Sequence, residues 1–161
     1  MTTTQKYSDM AEVFAKDGIP QSLSPVWRTG SMLPVLDFSI ESLKLVDDYL
    51  GTMREKAMPK RRLASLFGRG KPAWETIFEA EGANDALSHI AAYVGEVIRR
   101  SSRREGVWMD FREIQKFGGH AAEIANDEND IITSMNLVRG DSVSWPVSKV
   151  LKRIMDGPGD D

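Results

Sequence analysis

The chain has 161 residues, 41% hydrophobic and 28% charged, with a formal net charge of −3. This length suits one domain whose core is large enough to need no staples. There is no cysteine and there are only two histidines, which excludes a disulfide framework, a thiolate metal site and a cysteine nucleophile, and leaves little for a histidine-rich metal site.

The mildly acidic balance argues against nucleic-acid binding by the domain as a whole. The opening MTTTQKYSDMAEV lacks an apolar run behind basic residues, so no secretory signal is expected. No stretch reaches the ~20 apolar residues of a membrane span. The expected setting is a reducing cytoplasm, with no cofactor, no metal and no membrane partner.

Tyr7, Met10, Ala11, Val13 and Phe14 give a helix over 5–16 an apolar side, and Gly18 stops it. A flexible arm reads equally well, and exposed Met10 and Phe14 would let it dock on a second copy in a homo-oligomer. Residues 19–37 are broken by Pro20, Pro25, Pro34 and Gly30. Their apolar content implies a segment lying over the body, with Trp27 partly buried. Residues 1–38 thus form a helix and an irregular extension, and 39–161 a single α+β domain.

Ser39 is placed to cap a helix running to about Met58, where Pro59 ends it. Leu43, Val46, Leu50, Met53 and Ala57 make its inner stripe. A basic segment follows over 54–71, in which Arg54, Lys56, Lys60, Arg61, Arg62, Arg69 and Lys71 face only Glu55. It can bind phosphate or an acidic surface, but its GRGK run lacks the strand and spacing of a phosphate-binding loop. A solvated basic loop is the plainer reading. Pro72 starts a short helix with Trp74, Ile77 and Phe78 inward.

The most regular helical pattern is ANDALSHIAAYVGEVIRRS, over 83–101. At about 100° per residue, Leu87, Ile90, Ala91, Val94 and Ile98 form one stripe, which Ala86, Tyr93 and Val97 widen. So broad an arc implies a central helix. Asn84 is the expected N-cap. Gly95 costs roughly 1 kcal/mol there, and close packing against another element is the ordinary reason to accept it. His89, Glu96 and Arg100 share the opposite side. Glu96 and Arg100 can pair at i, i+4. His89 and Glu96, two turns apart, have the spacing of a base and its orienting partner, although a solvated face explains them as well.

Val107 to Phe111 reads as a strand by aromatic and β-branched content. Residues 117–119 read as a turn. Residues 121–130 read as a polar loop whose acidic end lacks the calcium-loop pattern. Residues 131–138 read as a second strand and 142–145 as a third. Pro146 opens a closing helix with Val147, Val150, Leu151 and Ile154 inward, stopped at Gly157. The fold class is α+β, with N-terminal helices packed on one face of a small antiparallel sheet and a C-terminal helix closing the domain.

AAYVGEVIRR at 91–100, Trp108, and WPVSKVLKRIMDGPGD at 145–160 resemble a group of small bacterial α+β domains of unknown function. In these a Tyr-x-Gly-Glu-Val-type helix precedes a small sheet and a Pro-x-x-Lys-Val-type helix closes the domain. The resemblance covers about the C-terminal half. It implies the architecture and a bacterial source, and carries no catalytic role to Tyr93, Gly95 or Glu96.

No catalytic residue is assigned. The favoured reading is a non-catalytic cytosolic module that binds another protein, of the immunity or antitoxin kind, whose partner would be a toxin. Glu96, Arg100 and His89 on the central helix, Trp27 in the extension, and Arg61 and Arg62 in the basic segment are the expected contact residues. The alternatives are a small enzyme with His89, Glu96 and His120 in a cleft, or a phosphate or nucleic-acid binder using the basic segment.

Overall fold

The computed structural model describes residues 1–19, 27, 36–57, 77–125 and 131–157. Helix α1 spans Thr3–Asp17. The Thr2 hydroxyl accepts from the Gln5 N–H at its start, and Gly18, at φ 69°, closes its end. Helix α2, Ile40–Ala57, begins behind Ser39, whose hydroxyl accepts from the Ser42 N–H. Helix α3 is Ala83–Ser101. It starts two residues earlier than an Asn84 cap requires. Gly82, in the left-handed region at φ 77°, takes the capping position instead, and Asn84 sits exposed in the first turn.

Strand β1 is Val107–Met109, shorter than the expected 107–111. Asp110 ends it by capping helix α4, Phe111–Phe117. The Asp110 carboxylate accepts from the Glu113 N–H, and the Glu113 side chain accepts from the Asp110 N–H. This reciprocal box satisfies two orphan donors of the first turn. A second short helix, α5, is Gly119–Ile124, where a turn and loop were expected. Residues 131–134 form turns rather than a strand, and the Ser134 hydroxyl bonds back to the Ile131 carbonyl. In this part of the chain the strands are β2, Asn136–Arg139, and β3, Ser142–Ser144. Helix α6 is Pro146–Asp156, ended by Gly157 at φ 88°.

The antiparallel sheet runs in the order β1-β2-β3, with Trp108 opposite Leu137 and Val138 opposite Val143. Its main face, through Trp108 and Leu137, joins a core made with α1, α2, α3 and α6. Its other face is also covered: Val138 packs with Ile114, Ala121 and Ala125 of the 111–125 segment. The fold is α+β as expected, with the N-terminal helices on the main face and helical cover also on the other. The two short helices supply the second layer.

Helix α3 lies at the centre, with α1 packed most extensively along it and α6 on another side. Phe14 and Ala11 of α1 are fully buried. Phe14 is therefore a core residue and not an exposed docking group. Trp27 is likewise fully buried. Its indole N–H donates to the Ile77 carbonyl at 3.1 Å, and its own carbonyl accepts from the Tyr49 hydroxyl at 2.8 Å. Among the described residues, no helix is long and apolar enough to cross a membrane.

Candidate functional site

The most concentrated polar chemistry in the described chain is built around Glu96. Helical spacing puts Glu96 on the side of α3 expected to face water, yet it is 0% exposed. The reason is α1, which packs along that side and covers Ala92, Tyr93 and Glu96 together. The middle of α3 is thereby covered on this side as well, while Asn84, Asp85 and Arg100 near its ends stay exposed.

Both carboxylate oxygens of Glu96 are taken up. The Trp108 indole N–H donates to Oε1 at 2.8 Å and the Ser8 hydroxyl to the same atom at 3.0 Å. Arg99 donates through Nε to Oε1 at 2.8 Å and through Nη2 to Oε2 at 2.9 Å, a two-pronged pair. Arg100 adds Nε to Oε2 at 3.1 Å. A buried charge costs several kcal/mol unless it is paired and hydrogen-bonded, and here both conditions are met. Burial pushes the Glu96 carboxyl up. The bonds from Arg99 and Trp108, the charge of Arg99 and the Ser8 bond outweigh that and hold it below its ordinary range. Glu96 is thus an anion at neutral pH, with its lone pairs committed.

Arg100 extends the network to the surface. Its Nη2 donates to Glu12 Oε1 of α1 at 2.5 Å, and its guanidinium lies 3.7 Å from the centre of the Phe38 ring. Phe38 adopts a left-handed backbone, φ 61°, which is strained for a bulky residue. Its N–H donates to the Tyr93 hydroxyl at 3.1 Å and its ring packs 4.9 Å from that of Tyr93. The Tyr93 and Ser42 hydroxyls lie 2.6 Å apart, which completes the chain of contacts into α2.

Trp108 is the other pivot. Its ring fills the space that Gly95 leaves: a Cβ at position 95 would stand 2.1 and 2.3 Å from two of its ring carbons. Close packing is thus the reason for this glycine. The Thr4 hydroxyl accepts from the Trp108 N–H at 3.2 Å and donates to the Trp108 carbonyl at 3.5 Å, closing the outer edge of β1. The Tyr7 ring lies 5.1 Å from that of Trp108, and its hydroxyl donates to the Ser134 carbonyl at 3.1 Å. Burial, with the nearby Asp110 and Glu113 carboxylates, pushes the Tyr7 phenol up to about 12.

The expected site residues divide accordingly. Glu96 and Arg100 do meet. His89 does not join them: its Nδ1 lies 2.9 Å from the Asp85 carbonyl, roughly 10 Å of helix rise from Glu96. His120 pairs with Glu123 of its own helix, and its side chain is 83% exposed. Trp27 is interior. Arg61 and Arg62, with the basic segment beyond Arg54 and Glu55, lie outside the described residues, as does the acidic run at 126–130. The sequence does not single out Ser8, Arg99 and Trp108 as a constellation. The available signal was Ala92 and Gly95, two small residues flanking Glu96 on a face otherwise expected to be polar.

A cleft of about 330 Å³ opens beside this network, lined by Lys6, Tyr7, Asp110, Phe111, Arg112 and Ser134. Among the described residues, no three His, Asp or Glu side chains are grouped so as to hold a metal ion. Neither a family model, nor a curated protein, nor a solved structure matches the chain.

Proposed function

We infer that the protein is a non-catalytic, cytoplasmic protein-binding module, by analogy with the general character of small acidic immunity or antitoxin proteins. The observation that carries this reading is the commitment of Glu96. A general base needs a free lone pair directed at a substrate proton. The most deeply buried carboxylate among the described residues instead spends both oxygens on Ser8, Arg99, Arg100 and Trp108. The network stiffens a scaffold of α1, α3 and β1. Rigid scaffolds with small ordering costs are what tight protein recognition favours.

The test is capture with the tagged chain from its native lysate, followed by reconstitution of any stoichiometric protein with the purified chain. A one-to-one complex that forms from purified components, and blocks an activity of the captured protein, supports the reading. No stoichiometric protein, or turnover of a small molecule by the chain alone, overturns it.

A further inference from the structure

A groove runs between α2, α3 and α6 on the side of the molecule away from the Glu96 network. It encloses about 210 Å³, and Leu43, Val46, Leu50, Val94 and Val150 make its floor. A second hollow of about 350 Å³, bounded by Lys152, Asp156 and Gly157, continues it and shares Lys149 and Arg153 with it. Lys149, Lys152 and Arg153 stand at i, i+3 and i+4, so one face of α6 presents three cations along the groove. The local charge is opposite in sign to the net charge of −3 on the chain.

Arg153 is bound to Asp47, and its Nη2 also reaches the Asp47 carbonyl at 3.3 Å. Its Nε bonds to Asp47 Oδ1, and its Nη2 bonds to Asp47 Oδ2 at 3.0 Å. Its Nη1 is buried, and among the described residues no acceptor reaches it. The guanidinium is held close to the α2 backbone because position 51 is glycine: a Cβ there would come 3.0 Å from Nη2. That nitrogen has no surface open to the groove, so the cations an arriving carboxylate can reach are the exposed Lys149 and Lys152.

We propose that this groove docks an acidic segment of a partner protein, with an apolar side chain laid on Leu43 and Val94 and adjacent carboxylates taken by Lys149 and Lys152. This rests on the binding-module reading above and supplies its surface and the chemistry of its partner.

The probe is a capped hexapeptide of two leucines between pairs of glutamates, titrated into the ¹⁵N-labelled full chain and followed by amide chemical shifts. Saturable shifts confined to residues 43–50, 94 and 149–154 are expected. Replacing the two leucines by serine, or the glutamates by lysine, should abolish them. The exposed pair Lys149→Glu/Lys152→Glu, which leaves the core untouched, should weaken binding about tenfold. No saturable shift, scattered shifts, or equal binding by the lysine peptide overturns the proposal. The two readings fail separately. A partner captured equally by wild type and by this charge-reversed variant removes the groove and leaves the module standing, whereas no captured partner at all removes the module.

Discussion

Trp108 donates its indole N–H to Glu96 across 2.8 Å while its ring occupies the space over Gly95. One side chain thereby neutralises a polar cost and fills a packing gap on the same helix. Ser8 and Thr4 of α1 reach the same two partners, Glu96 and Trp108, so α1, α3 and β1 are fastened at one point.

Glu96→Ala should destabilise the chain by about 1–3 kcal/mol, because the buried Trp108 N–H loses its acceptor while the partly exposed Arg99 and Arg100 turn to water. Glu96→Gln keeps the shape but not the charge, and should fall between wild type and alanine. Urea denaturation followed by tryptophan fluorescence measures both.

Gly95→Ala should also destabilise the protein, although alanine is better than glycine by about 1 kcal/mol in an open helix. The added methyl meets the Trp108 ring at 2.1 Å, and overpacking of this kind costs about 1–3 kcal/mol or more. A variant as stable as wild type would show that Trp108 has room to move.

Thr4→Val keeps the shape and removes the hydroxyl that bridges the Trp108 N–H and carbonyl. The expected loss is about 1 kcal/mol. The Trp108 amide should exchange with solvent markedly faster, because the outer edge of β1 is then open.

The pH dependence has two limbs with worked signs. The Glu96 carboxyl is held below its unfolded value of about 4.3. Its contribution is present above that pH and lost as pH falls through the lower folded value. The Tyr7 phenol is raised to about 12 from 10.0. Its contribution is full below pH 10 and is lost as pH rises from there towards 12. Glu96→Gln should weaken the acid limb and Tyr7→Phe part of the alkaline one, the remainder belonging to the Tyr49 phenol, which burial also raises; both are read as unfolding midpoints across pH.

Much of this architecture was legible in the chain. Helix α3 runs from Ala83 to Ser101 as its apolar spacing indicates, and Gly95 has the packing role its cost implied. The closing helix, from Pro146 to its stop at Gly157, follows from proline and glycine chemistry at its two ends. Two features were hidden. Trp108 and Phe111 have β-type side chains, which masked a helix start whose real signal was Asp110 and Glu113 at capping-box spacing. Glu96 was hidden because helical periodicity ranks residues by polarity, while its burial depends on α1, roughly 90 residues away in sequence, packing over that side. A wheel drawn from one helix cannot supply the second helix that covers it.

The most direct test of a structural Glu96 is its own titration, followed by the ¹³C shift of its side-chain carboxyl in the intact protein. The account predicts an anion that stays ionised below the ordinary carboxylate range and takes up a proton only as α1 detaches and tertiary structure is lost. A carboxyl that titrates reversibly between pH 5 and 7 with the fold intact would contradict it, and would make Glu96 a poised base in place of a structural anchor.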